Sequence, residues 1–404
     1  MRLLVQGLLA VVIASITPLM SYYEEWAIYY GVEVLGVTLI ALLVPGARFS
    51  ARSVTDSLLL LSLLLVPVML STVLNQPETV PLENIGMVLF YAILGLSLFD
   101  ARRPGSFVGF FCLVAAAQLL VMPWLFSEAA LVELSDLAAI VQLRRDAFDF
   151  EGIDLHPNTI GMLCVILVLA AVRLPGRGLR VGLVGFAVVI SWLMSSRASL
   201  LAIVIIGVSV LGCRLLDFKL RGLPRSRNTV LMMLAGLAAV ALLAYTNADF
   251  LFHDVLLLDD DERGIGTGFT GRLEIWQAAY ELWRENFFFG VGYGQHVEQM
   301  GLGIYAHNMM LVLLSELGLF GLAGFGLFSI LCLRNGVRLM QAGAVGPATY
   351  IITVIVSYWG YGLFEGKAVS AGNPISAIYF LCCFASVGYG LPRPEATPPP
   401  ASEV

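Results

Sequence analysis

Apolar residues run in blocks of about 17 to 25 along this chain, long enough to cross a hydrocarbon core of about 30 Å at 1.5 Å per helical residue. Twelve such blocks are read, near residues 3–20, 26–45, 56–74, 84–99, 106–125, 157–173, 179–195, 198–215, 229–246, 307–331, 347–364 and 374–391. Blocks of this length predict helices and exclude the strands of a membrane β-barrel, which need only about 9 to 11 residues. The fold class expected is an all-α polytopic integral membrane protein of about twelve transmembrane helices, with residues 1–404 forming a single membrane domain. The first block, MRLLVQGLLAVVIASITPLM, has the basic start of a signal peptide. No small-x-small cleavage site precedes SYYEEW, so it is read as a span.

Two connections between the blocks are long, residues 126–156 and 247–306, whereas the others are short. Long structured loops on a membrane scaffold are where function concentrates. The first contains a short amphipathic stretch, then Arg144 and Arg145 among acids, then His156-Pro-Asn158 opening the sixth block. Proline at a helix start with Asn158 beside it is ordinary capping; Asp154 and His156 are also candidates to meet a polar substrate. The second runs from an acidic stretch through GIGTGFTG to a helix in which Leu273, Trp276, Tyr280, Trp283 and Phe287 recur every three or four residues. That aromatic stripe predicts a helix lying in the membrane interface.

Composition removes a soluble alternative: 59% of residues are hydrophobic and 13% charged, with a mean hydropathy of +0.87, whereas a soluble domain carries about a quarter charged residues. Charge then orients the blocks. Most of the 23 Lys and Arg fall on one side, including Arg2, Arg48, Arg102, Arg214, Arg227, Arg334 and Arg393, which is the positive-inside pattern with both termini cytoplasmic. The two long loops are then on the outer face. The tail 392–404, PRPEATPPPASEV, reads as a disordered cytoplasmic end. The six cysteines all lie in or beside apolar blocks and read as small core residues, not as disulfides or metal ligands.

Three further outer-face residues and one inside a span carry candidate chemistry. Arg272 opens the amphipathic helix directly after the glycines, where free backbone N–H groups, the positive helix end and a guanidinium together make a phosphate seat; an ion pair on a wet loop is the plainer reading. Arg197, in SSRASLL between two apolar blocks, either snorkels to lipid phosphate or joins Arg272 on a diphosphate. His307 stands at the mouth of the tenth block, followed by Asn308, as a cap or as an acid-base group. Glu316 lies nine residues further, expected about 13 Å deeper, turned away from His307 and held by a structural partner. Gly318, Gly321 and Gly324 are spaced for close helix packing. Neither GIGTGFTG nor GVGYGQ follows a strand, so no nucleotide fold is expected.

Two motifs tie these residues together. Arg197-Ala-Ser-Leu-Leu201 fits Arg-x3-Leu, and His307-Asn308, nine residues, Gly318-Leu-Phe-Gly321 fits His-[Asn/Ser/Gln]-x9-Gly-x2-[Gly/Thr/Tyr]. With the stretch TGRLEIWQAAYELWRENFFFGVGYG ahead of the histidine, the chain resembles the O-antigen ligase and O-antigen polymerase superfamily, most of all the lipopolysaccharide O-antigen ligases, over about residues 155–325. The resemblance implies a metal-independent, inverting glycosyltransferase, similar in its all-helical membrane fold to other lipid-linked-sugar (GT-C-like) transferases, with no cofactor. It implies a donor glycan on undecaprenyl diphosphate and an acceptor hydroxyl on lipid A-core, met at the periplasmic face of a bacterial inner membrane. Within it, His307 would be catalytic, Arg197 and Arg272 would bind the donor diphosphate, and Asn308, Asp154, His156 and Glu316 would support. Membrane lipid is an expected partner and nucleic acid is not. A polymerase joining undecaprenyl-linked repeats, or a transporter, are the alternatives that the sequence keeps open.

Overall fold

The computed structural model describes residues 51–78, 80–98, 104–129, 131–133, 135–148, 157–172, 174, 176–220, 272–366 and 373–388. Among them the chain is helical, without β-strands: α1 (Ala51–Asn75), α2 (Leu82–Leu98), α3 (Pro104–Ala129), α4 (Leu137–Leu143), α5 (Pro157–Ala171), α6 (Arg177–Leu193), α7 (Arg197–Leu220), α8 (Arg272–Glu285), α9 (His296–Met300), α10 (Met309–Gln341), α11 (Val345–Gly362) and α12 (Pro374–Gly388). Nine of the twelve expected blocks correspond to helices; those near 3–20, 26–45 and 229–246 lie outside the described residues. Pro104, Pro157 and Pro374 each open a helix, the position where a missing N–H costs nothing. Among the described residues three helices, in α1, α7 and α10, are long and apolar enough to cross a membrane, and shorter apolar helices accompany them. This is a membrane protein by composition and by helix.

The centre is α5, buried from Ile160 to Ala171, with α3, α6 and α7 packed around it. A second layer joins α10, α11 and α12: Tyr358 stacks on Tyr379 at 3.9 Å between ring centroids. Ser329 Oγ lies 2.8 Å from Phe325 O and 2.7 Å from Tyr379 OH, and it accepts the Trp359 indole N–H at 2.9 Å. Their polar atoms therefore satisfy one another inside an apolar bundle. Cys164, Cys213, Cys332, Cys382 and Cys383 are buried free thiols, the small core residues expected.

α10 does not run straight from its first residue. Met309 touches Gly362, the last residue of α11, yet Phe325, sixteen residues on, packs against Trp359, three residues back along α11. Sixteen helical residues cover about 24 Å while α11 covers about 5 Å, so the first two turns of α10 cross the end of the bundle. They run from α11 to α1, where Ser71 Oγ donates to Glu316 O at 2.8 Å. Only after Gly318, whose backbone is left-handed at φ 66°, does the helix descend along α1, with Gly324 against the Leu63 carbonyl. The stretch from Leu319 to Gln341 is about 34 Å long and suffices by itself to span. Glu316 thus lies level with the last turn of α1 and not 13 Å inside a span; the depth expected from a straight helix is corrected.

A broken helix leaves carbonyls and amides unpaired, which is intolerable in an apolar bundle unless something else meets them. The turn segment after α8 does so. Val291 N donates to Ser315 O (2.9 Å) and Gly292 N to Glu316 O (3.1 Å), while Leu319 N and Phe320 N donate to Phe287 O and Phe288 O at 2.9 and 3.1 Å. The two backbones lie so close that a Cβ on Gly318 would be 2.3 Å from the Phe288 carbonyl, and one on Gly290 2.3 Å from that of Glu316. Gly318 therefore serves the break and not helix packing; of the three glycines, Gly324 takes the packing role expected.

Gly318→Ala should cost about 3 kcal/mol or more of stability, from the left-handed backbone and the backbone clash together. Gly326→Ala, with nothing within 4 Å of its added methyl, should be neutral or slightly stabilising. Thermal unfolding in detergent compares them, and equal melting temperatures would remove the break from the fold's requirements.

Candidate functional site

At the end of α11 four consecutive residues, Leu363 to Gly366, turn across the mouth of α10, and each is held by a different side chain. Asn308 Nδ2 donates to Leu363 O at 3.1 Å. Arg272 Nη1 donates to Phe364 O at 3.0 Å. His307 Nδ1 meets Glu365 Oε1 at 3.1 Å, and Tyr305 OH donates to Gly366 O at 3.2 Å. Three expected site residues, His307, Arg272 and Asn308, thus share one short turn.

The local sequence explains the convergence. Asn308 is the N-cap of α10, its side-chain oxygen accepting from Met310 N and Leu311 N at 3.0 and 3.1 Å, so its amide is left to reach Leu363. Immediately before it, His307 adopts φ 47°, an unfavourable backbone for a residue with a Cβ, at about 1 to 2 kcal/mol. Four hydrogen bonds onto the turn, at about 1 kcal/mol each, outweigh that strain. α8 is fixed beside them because Ile275 and Ala279 bury against Ala306 and Val312 and the Trp276 indole donates to Ala306 O at 2.8 Å. Its inner face is therefore Ile275 and Ala279 with the Trp276 indole beside them; Leu273 and Tyr280 of the aromatic stripe turn outward, about half exposed.

Glu365 is 5% exposed, and a carboxylate removed from water needs a donor. A carboxylate only accepts, so the proton between the two belongs to Nδ1 of His307, and Nε2 is the ring's basic nitrogen. The His307 side chain is 28% exposed, against 7% for that of Glu365. The imidazole faces outward and its carboxylate partner inward. Tyr305 completes the cluster: burial first, then Glu316, Tyr293 and Glu365, push its phenol above the usual range, so it keeps its proton and acts as a donor.

Arg197 opens α7 after a tight turn in which Ser195 takes φ 51°. α7 and α11 are antiparallel, with Ile205 under Gly360 and Cys213 beside Thr353. Eight residues before Ile205, about 12 Å, Arg197 therefore lies at the same end of the bundle as the turn. Glu316 does not join this cluster. It meets His296 Nδ1 at 2.5 Å, the structural partner that was expected. Asp154, His156 and the GIGTGFTG loop lie outside the described residues.

Sequence reasoning missed Glu365, His296 and Tyr305. FEGK after an apolar block looks like a loop, and only the return of α11 to His307 gives Glu365 its meaning. His296 sits in GYGQHV without a motif; its spacing from Glu316 is informative only once the helix breaks. Among the described residues no group of three His, Cys, Asp or Glu is placed to hold a metal ion.

Residues 165–326 match the family described as O-Antigen ligase. The matched span begins inside α5, ends past the break in α10, and includes Arg197, Arg272, His307, Gly318 and Gly321. It shows the similarity to the O-antigen ligase superfamily that the motifs carry. No curated protein matches the chain.

Asn308→Ala should destabilise the protein by about 1 to 2 kcal/mol, since the cap is lost. Asn308→Asp keeps an acceptor for Met310 and Leu311 but cannot donate to Leu363 O. Melting temperatures measured side by side should fall in the order wild type, Asp, Ala; an alanine variant as stable as wild type would deny the cap its role.

Proposed function

We propose that the chain is an O-antigen ligase, transferring a glycan from undecaprenyl diphosphate to a sugar hydroxyl of lipid A-core at the periplasmic face of the inner membrane, without a metal and with inversion. The family match supports an enzyme of O-antigen ligase or polymerase type. The observation that carries the reading is the hold of Glu365 on Nδ1 of His307, which leaves Nε2 at the exposed side of the site.

In this reading the acceptor hydroxyl is hydrogen-bonded to Nε2, and its proton passes there as the oxygen attacks the anomeric carbon from the face opposite the diphosphate. The bond from that carbon to the diphosphate oxygen breaks, and its electron pair leaves with undecaprenyl diphosphate. Glu365 stabilises the imidazolium that forms. Negative charge grows on the leaving oxygens, and Arg272 and Arg197, at the same end of the bundle, are the groups to stabilise it. Arg272 spends one N–H on Phe364 O; a guanidinium has five donors, so its remaining edge is available to a diphosphate. The outward part of the aromatic stripe of α8 suits contact with the lipid that carries the donor.

Reconstitution with an undecaprenyl-diphosphate glycan and lipid A-core tests the proposal by product mass. The ligase reading expects glycan added to lipid A-core; lengthening of the donor in its place would move the assignment to a polymerase. His307→Gln should lower transfer by about 10²- to 10⁴-fold with donor binding retained, and Arg272→Lys, which keeps charge but loses the fork, should impair turnover too. Wild-type rates for both folded variants would end the reading.

The same account requires residues 247–306 and the turn at Glu365 to share the periplasmic side. A reporter inserted near Asp260 should therefore behave as periplasmic. Cytosolic activity there would contradict the topology and the donor with it.

A further inference from the structure

The pair formed by His296 and Glu316 takes no part in the reaction above. His296 is 1% exposed and Glu316 4%, too buried to touch a substrate. Filling this space with apolar side chains would avoid desolvating a carboxylate, so a packing role alone does not account for an ionisable pair. What the pair adds is orientation. Its Nδ1 to Oε1 contact of 2.5 Å fixes the imidazole plane, while His296 Nε2 has no hydrogen-bond partner among the described residues.

Each end of the pair is anchored to something the site depends on. Glu316 is the last residue but one before the break at Gly318, and its carbonyl accepts from Ser71 Oγ and Gly292 N. The His296 ring meets the Tyr305 ring edge to face at 4.5 Å, and the Tyr305 ring lies 6.2 Å from that of His307. Tyr305 OH donates to Gly366 O, beside the residue that holds His307. Gly366 has no room for a side chain there: a Cβ would be 2.3 Å from the Tyr305 ring and 3.1 Å from His307 N. A continuous set of contacts leads from the break in α10 to the turn.

We propose that His296 and Glu316 are positioning residues for His307, acting through Tyr305 and the turn that carries Glu365. The proposal rests on the reading of His307 as the reaction's base. Loss of the His296 ring would let Tyr305 shift, slacken the bond to Gly366 O and free His307 from the orientation that Glu365 imposes.

The test is a double-mutant cycle in the reconstituted full-length protein. His296→Phe, and His296→Gln, which keeps a donor for Glu316 but loses the ring on Tyr305, should each lower kcat about tenfold or more with donor KM changed less than about twofold. In the His307→Gln background either change should cost less than about a further twofold, because the group being positioned is already gone. Equal losses in both backgrounds would mean a structural role and overturn the proposal. A readout independent of turnover is carbethoxylation of His307 by diethyl pyrocarbonate, followed by mass spectrometry. Release from Glu365 should speed it about threefold or more in either variant, and an unchanged rate would overturn the proposal even where residual activity is too low to measure. Should His307→Gln itself transfer glycan at the wild-type rate, the reading of the base fails; the carbethoxylation rate still decides whether His296 positions that ring.

Discussion

Glu365 keeps only 5% of its surface exposed, and a carboxylate so withdrawn from water has to be met by a donor. His307, two helices away in sequence and adjacent in space, is one such donor. That requirement organises the neighbourhood: α11 must end where α10 begins, the turn after it must present four successive acceptors, and Asn308, Arg272, His307 and Tyr305 must converge on them. The strain at His307, with its positive φ, is sustained by these bonds. Strain held in place by surrounding contacts is characteristic of groups that must be aimed.

The break in α10 is the second half of the same arrangement. A straight helix would carry Glu316 away from the turn and into the span. With the first two turns laid across the bundle, Glu316 stays in the layer that holds His296, Tyr305 and His307. The segment from Phe287 to Gly292 makes this possible by satisfying the backbone groups that the break exposes. The first glycine of the histidine motif thus has a physical cause: Gly318 supplies the positive φ at the break, and Gly290, outside the motif, lets the two backbones approach.

Helix existence was legible because run length and hydropathy are local properties, and every expected block among the described residues is a helix. His307 and Arg272 were legible too, as polar groups at helix mouths in a recognisable motif, and the structure brings both to one turn. What the sequence could not reveal depends on long-range return of the chain. Glu365 is 58 residues from the histidine it holds, and nothing in FEGK marks it. The apolar run from Met309 hides the break, since hydropathy does not change at Gly318. The stripe on α8 was read correctly as apolar and aromatic, yet the face that packs is Ile275 with Ala279, smaller residues that periodicity undervalues.

The central claim is that Glu365 aims and supports His307, and it is tested most directly by single-turnover transfer with Glu365→Gln, folded and saturated with donor. Glutamine preserves size and can still accept through its amide oxygen, but it removes the charge that stabilises an imidazolium. The account predicts a fall in the chemical rate of about tenfold or more with donor affinity unchanged. A Glu365→Gln protein that transfers glycan at the wild-type single-turnover rate would contradict it.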